Sequence, residues 1–208
     1  MWYLVLLAAV CSYLLGNLNG AVIASSLVAH EDVRSHGSGN AGLTNFIRNY
    51  GASNALLVVL IDVGKAVLAC FAGSMMLNGY GYYKEGLVLG GLFVMLGHVF
   101  PALLGFKGGK GILSGFTIAF MVDWRIALII LAVFAVVYFL TQYVSLASVL
   151  AALSFGVGFL IFYHDNLLVA AGGVLMSALA IFMHRSNILR LIRGEERKTN
   201  LFSKGRKS

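Results

Sequence analysis

The sequence predicts an all-α, polytopic membrane protein of about seven transmembrane helices, with the N-terminus outside and the C-terminus cytoplasmic. Three observations carry that expectation. Of 208 residues, 60% are hydrophobic and only 11% charged, with a mean hydropathy of +0.89. A soluble domain carries roughly 45–50% apolar and about 25% charged residues. Apolar runs of membrane-spanning length recur along the chain, and the basic residues cluster in alternate connections between them. The formal charge of +7 is therefore no sign of a nucleic-acid binder, because the apolar majority could not stay in water.

A membrane helix needs about 20 mostly apolar residues. Runs near 3–28, 52–77, 86–104, 111–122, 125–140, 144–162 and 166–183 qualify, the fourth being short enough that it and the fifth could form one bent segment. Five spans is the fallback if the weak segments are re-entrant. The first run has no basic stretch before it and no small-residue cleavage site after it, so it reads as a retained span rather than a signal peptide. Loops 29–51 and 105–110 and the tail from 184 hold Arg34, Arg48, Lys107, Lys110, Arg185, Arg190, Arg193, Arg197, Lys198, Lys204, Arg206 and Lys207. Only Lys84 and Arg125 fall on the other side, and Lys65 lies within a span. Positive residues favour the cytoplasmic side, which orients the chain. Residues 1–194 form one membrane domain, and 195–208 a basic, mobile tail. Cys11 and Cys70 lie inside spans without CxxC spacing and read as buried filler.

Chemistry concentrates in the three basic segments. The first contains Gly37-Ser38-Gly39-Asn40, then Thr44-Asn45 and Arg48. Its glycines free the backbone, so that successive N–H groups can form an anion-binding nest. Ser38, Asn40, Thr44 and Asn45 add donors, and Arg48 a bidentate charge. The competing reading is a plain glycine-rich turn. The second runs from Gly97-His98-Val99-Phe100-Pro101 to Gly105-Phe106-Lys107-Gly108-Gly109-Lys110-Gly111. Two lysines among four glycines suit phosphate capture by point charges and backbone amides, against a simple positive-inside anchor. It is not a Walker A loop, since Gly111 follows Lys110 where Ser or Thr is required. The third starts at His184-Arg185-Ser186-Asn187, with Ile188, Leu191 and Ile192 at helical spacing. It reads as an interfacial helix, with His184 and Asn187 able to face one pocket or simply to cap. Inside the spans, Asn17 and Asn19 interrupt the first run. Asp62 and Lys65 interrupt the second as an internal ion pair, Lys65 alternatively extending the basic pocket.

These three motifs, in this order and across nearly the whole chain, resemble the acyl-phosphate-dependent glycerol-3-phosphate acyltransferases, small bacterial membrane enzymes that begin phosphatidic acid synthesis. The resemblance implies seven spans in the bacterial plasma (inner) membrane and a site facing the cytoplasm. It implies glycerol 3-phosphate and acyl phosphate as substrates, and lysophosphatidic acid as product. It assigns phosphate binding to Gly37, Ser38, Gly39, Asn40, Thr44, Asn45, Arg48, Lys107, Gly108, Gly109 and Lys110. Catalytic roles fall to Ser38, Arg48, Lys107, Lys110, His184 and Asn187. Two departures stand out: Gly16-Asn17-Leu18-Asn19 replaces the family's usual Gly-Ser-x-Pro stretch, and Ser186 stands where an acidic residue is common.

No Ser-His-Asp or Cys-His arrangement is legible, so direct attack by the acceptor hydroxyl is expected rather than an acyl-enzyme. No metal or cofactor is expected, and the partners are the two substrates and membrane lipids, with no nucleic acid and a monomeric chain. None of the five histidines has Asp five residues on, which argues against an acyl-CoA-dependent H-x4-D enzyme. The scattered aspartates argue against a metal-dependent phosphotransferase. A transporter or flippase for phosphorylated molecules is the rival from another class, weakened by the lack of an internal repeat.

Overall fold

The computed structural model describes residues 1–199, and the proposed tail residues 200–208 lie outside that range. The first apolar run is broken into α1 (Trp2–Gly16) and α2 (Gly20–Ala29). A short helix, α3 (Leu43–Tyr50), follows in the first basic segment. Then come α4 (Ala55–Asn78) and α5 (Tyr83–Val99), the latter extended by a 3-10 turn at Ala102–Leu104. The remaining helices are α6 (Ile112–Val122), α7 (Trp124–Thr141), α8 (Val144–Phe162), α9 (Leu167–Met183) and α10 (Arg185–Ile192). Among the described residues, five helical segments are long and apolar enough to cross a membrane, or six if α9 and α10, bent by 55°, are one span. The 11 residues of α6 rise only about 17 Å, roughly half a hydrocarbon layer.

The expected runs and the observed helices coincide to within a few residues. The alternatives for 111–140 resolve into two helices: the chain turns at Asp123, extended and capping Arg125 N. Gly111 lies near Met95 at one end, Asp123 meets Tyr163 at the other, and Tyr138 on α7 returns to Thr199. Helices α6 and α7 therefore run as a hairpin.

Helix α4 has its polar residues inward and its apolar residues outward, as a lipid-facing helix must. Leu56, Leu60, Leu68 and Phe71 are exposed, whereas Asp62 and Lys65 are 2% and 3% exposed. The break between α1 and α2 explains this inversion. Three residues without regular helix, Asn17 to Asn19, leave carbonyls at membrane depth that water cannot satisfy. Lys65 Nζ donates to Gly16 O at 3.3 Å and Leu18 O at 2.7 Å, while Asp62 Oδ1 accepts from Gly20 N at 3.1 Å. The pair itself closes at 2.7 Å. The ion pair expected from the i, i+3 spacing is present, and it serves the broken span rather than the basic pocket. Asn17 and Asn19 complete the repair. Asn17 accepts from Leu103 N at 3.0 Å, and Asn19 caps α2 through Val22 N at 3.0 Å. Helices α1 and α5 meet at backbone contact: a Cβ on Gly97 would lie 2.1 Å from Tyr13 O, the close approach that small residues permit in membranes. Cys70 is buried and Cys11 partly so, both as free thiols.

Candidate functional site at one end of the bundle

The basic connections meet at one end of the bundle. Arg34 ties the first to the second: its Nη1 donates to Leu104 O at 2.8 Å and Lys107 O at 3.1 Å, while Asp32 holds its other edge at 2.7 Å. The first loop is organised from within by Asn45. Its amide nitrogen donates to the carbonyls of Val33, His36 and Asn40, and its oxygen accepts from Ser38 N at 3.0 Å. Gly37 has φ +61°, and a Cβ there would lie 2.4 Å from Asn45 Oδ1. Here Asn45 is a spent, buried scaffold, not a free donor.

The second loop is seated on α5. Gly108 N donates to Val99 O at 3.2 Å and Gly109 N to His98 O at 3.1 Å. Lys65 Nζ lies 2.9 Å from His98 Nδ1, which also stands 3.6 Å from Asp62 Oδ1, so the ion pair meets the ring at Nδ1 and leaves Nε2 on its other side. Gly109 is wedged between that Nε2 and Ala41 O, which a Cβ would approach to 2.1 and 2.9 Å. Ala41 O also accepts from Asn19 Nδ2 at 3.1 Å. One junction therefore joins the broken span, the ion pair, α5 and both glycine loops.

These bonds engage part of the expected phosphate cradle. The N–H groups of Gly39, Gly108 and Gly109 all donate to backbone carbonyls, Gly39 to His36 O at 3.0 Å. In this state they form no open nest, because each loop folds back onto the element that starts it. Glycine at 109 is needed for closeness, and Gly109→Ala is expected to be destabilising by about 1–3 kcal/mol through overpacking. Thermal unfolding in detergent should show a melting point several degrees lower, while Gly64→Ala, where a Cβ meets nothing within 4 Å, leaves it unchanged or higher.

The cations do converge. Lys110 Nζ donates to Asn187 Oδ1. Asn187 Nδ2 donates to Glu196 Oε1 at 2.8 Å, and Arg190 Nε reaches Glu196 Oε2 at 2.6 Å. Arg48 donates to Thr199 Oγ1 and shares the field of Glu196, Arg197 and Arg190. His184 ends α9 with its Nδ1 on Ala180 O at 2.8 Å, which leaves Nε2 of the neutral ring as an acceptor. Burial pushes the Lys110 ammonium down to about 8, helped by Arg190, opposed by Glu196, and helped again by Arg48 and Arg185. Burial pulls the Glu196 carboxyl up, yet hydrogen bonds from Asn187 and Arg190 hold it below its ordinary value.

Thus Arg48, Lys110, His184 and Asn187 come together as expected. Among the described residues no hydrogen bond engages the side chains of Ser38, Thr44 or Lys107, and Lys107 is exposed outside the cluster. Asn40 contributes its carbonyl to Asn45. Glu196, Arg190 and Thr199 join the site without having been expected there, because composition makes 195–208 look like a mobile tail. Residues 195–199 instead bind back, Glu195 N to Arg190 O at 2.8 Å and Thr199 N to Gln142 O at 3.0 Å. The signal available was Glu196 itself, an acid among arginines and lysines.

The fold and this cluster define an α-helical integral-membrane protein with a cationic site, suited to phosphate, at one end of its bundle. The family model for glycerol-3-phosphate acyltransferase matches residues 6–194. A glycerol-3-phosphate acyltransferase of Finegoldia magna is 39% identical over 196 residues, covering 94% of this chain and 96% of the relative. One from Staphylococcus carnosus is 34% identical over 200 residues, covering 94% and 98%. Two crystal structures of PlsY (YgiH), an integral membrane glycerol 3-phosphate acyltransferase, share the fold. Its glycerol 3-phosphate form has a TM-score of 0.83 at 32% identity, covering 96% of this chain and 99% of that one. Its lysophosphatidic acid form has 0.78 at 30%, covering 95% and 96%. The chain belongs to the glycerol-3-phosphate acyltransferase family.

Proposed function

We propose that this protein transfers an acyl group from acyl phosphate to the sn-1 hydroxyl of glycerol 3-phosphate, releasing 1-acyl-glycerol 3-phosphate and phosphate. Family membership supports the acceptor and product. The observation that carries the chemistry is the Lys110–Asn187 contact with Arg48 and His184 beside it. The acceptor oxygen attacks the acyl carbon, the bond from that carbon to the phosphate oxygen breaks, and the hydroxyl proton passes to the departing phosphate. Phosphate is a good leaving group, so the protein mainly positions the substrates and stabilises charge. Lys110 and Arg48 hold phosphate oxygens, with Ser38 Oγ, Asn40, Thr44 and Lys107 as further donors when substrate draws the loops in. His184 Nε2 and Asn187 orient the hydroxyl or the acyl carbonyl.

The apolar cavity inside the bundle, lined by Met95, Phe116, Ile130, Phe155 and Met176, has a volume of about 20 Å³. That is room for about one water, so the acyl chain lies along the lipid-facing side of the helices. The chain acts as a monomer in the bacterial plasma membrane, with seven crossings and the site on the cytoplasmic face. Contacts sorted to two ends support this topology: Arg48, Lys110 and Asn187 at one, Lys84, Asp123 and Tyr163 at the other.

Reconstituted protein given palmitoyl phosphate and labelled glycerol phosphate is expected to form lysophosphatidate and phosphate. Uptake of label into vesicles without product would instead establish a transporter. The pH dependence is specific. With Lys110 titrating at about 8 in the free protein, kcat/KM for glycerol phosphate falls up to tenfold per pH unit above that point. Bound dianion favours the ammonium, so kcat falls less. A lysine depressed below its ordinary 10.5 gives the fold stability as pH rises from about 8 towards 10.5, so this residue contributes no unfolding to the loss. A flat kcat/KM from pH 7 to 10 removes Lys110 from phosphate binding.

A further inference from the structure

The end of the bundle away from the cationic site carries a second polar feature. The start of α5, the α6–α7 turn and the end of α8 enclose a cleft of about 440 Å³, lined by Lys84, Phe120, Asp123, Trp124, Arg125 and Tyr163. Lys84 and Arg125 are the two basic residues that the charge distribution leaves on this side, and both line the same cleft. Positive residues are disfavoured on that side of a membrane, so their convergence calls for a reason.

Both are held in place with donors to spare. Lys84 Nζ donates to Tyr163 Oη at 3.1 Å and stands 4.6 Å above that ring. Tyr163 is only 4% exposed, and its hydroxyl is aimed at Val122 O and Asp123 Oδ2. Among the described residues no carboxylate pairs with Lys84, so two of its N–H bonds remain unused. Arg125 uses Nε and Nη2 on Asp123, lies 4.3 Å over the Phe162 ring, and keeps Nη1 open. Two cations against one buried aspartate leave a net charge of about +1 in the cleft. Trp124 and Phe120 are 59% and 62% exposed, an aromatic rim of the kind that sits at headgroup level.

We propose that this cleft binds the phosphodiester of an anionic phospholipid in the leaflet opposite the catalytic site. A phosphodiester carries a single negative charge, which matches the cleft, whereas free phosphate near neutrality is largely dianionic. The rim aromatics and Met121 supply an apolar wall for the adjoining acyl chains. Each cation is expected to contribute about fivefold in affinity for the headgroup, the upper end of what an exposed ion pair supplies.

The test is lipid retention by the purified full chain in detergent, read by native mass spectrometry while phosphatidylglycerol or phosphatidylcholine is titrated. Phosphatidylglycerol is expected to be retained preferentially, about fivefold less by Lys84→Gln and about twenty-fivefold less by Lys84→Gln with Arg125→Gln. Lys84→Arg should keep it. Acyl transfer measured in phosphatidylcholine micelles stays unchanged in all three. Because Arg125→Gln also loosens the Asp123 turn, the single Lys84→Gln variant is the decisive one. Equal retention of both lipids, an unaltered Lys84→Gln variant, or displacement of the lipid by millimolar inorganic phosphate overturns the proposal.

Discussion

Lys110→Ala lowers kcat/KM for glycerol 3-phosphate by about a hundredfold or more while the protein still folds. The magnitude follows from its setting. A charge-assisted hydrogen bond is worth about 1.5–3 kcal/mol, and a donor aimed at developing charge in a water-poor site about 2.7–4 kcal/mol. Lys110 is placed for both, with its ammonium fixed by Asn187 and its charge opposed by Arg48, Arg185 and Arg190. The opposition disfavours the empty charged site, so an arriving dianion relieves repulsion as well as gaining a bond. Removing the ammonium also relieves that repulsion in the apo state, which is why stability should hold or rise. Lys110→Arg recovers part of the rate, since charge returns but the planar fork cannot replace a point charge at the Asn187 oxygen. Acyl transfer from palmitoyl phosphate, with the melting point as a folding control, gives the reading. A stable Lys110→Ala protein keeping a third of its kcat/KM ends the assignment, and Lys107→Ala, an exposed lysine three residues away, is expected to lose far less.

That contrast between two lysines marks where the sequence was and was not legible. Run lengths located every long apolar helix, because a hydrocarbon layer imposes one length and one composition on all spans. The hairpin at Asp123 stayed open in the sequence because an 11-residue helix is too short to declare itself by length. Motif composition placed Arg48, Lys110, His184 and Asn187 in one site, since cations and glycines in apolar surroundings have few other uses. It could not distribute work among them. Asn45 has the same donors as Asn40, and only the fold shows its amide closing the first loop on three carbonyls. The glycine amides are similar: freedom of backbone says that N–H groups can converge on an anion, and only the fold shows Gly39, Gly108 and Gly109 donating to backbone carbonyls. Glu196 was hidden because the tail reads as solvated by composition, and what orders it is pairing with Asn187 and Arg190 across a helix bend.

Lys65→Met is expected to be the most damaging single change outside the site, costing about 3–5 kcal/mol, because it leaves Asp62 charged and unpaired in the membrane interior. The isosteric Asp62→Asn still offers an oxygen to Gly20 N and should cost less. The double variant discriminates between two roles for the lysine. Were Lys65 only the counter-ion of Asp62, removing both charges would restore most of the loss. The structure gives it a second duty, since Gly16 O and Leu18 O take its other N–H bonds at the break between α1 and α2. The double variant therefore stays well below the parent in melting point, though its loss is smaller than the sum of the single losses by at least about 1 kcal/mol, as for residues in direct contact. Activity should fall further than stability alone predicts. Lys65 orients His98, His98 packs on Gly109, and Lys110 is the next residue, so loosening the ion pair blurs the position of the ammonium. A rise in KM for glycerol phosphate in Lys65→Met protein that is still folded at the assay temperature is the expected signature. Full recovery in the double variant, in both melting point and KM, would reduce the network to a simple ion pair and disconnect it from the site.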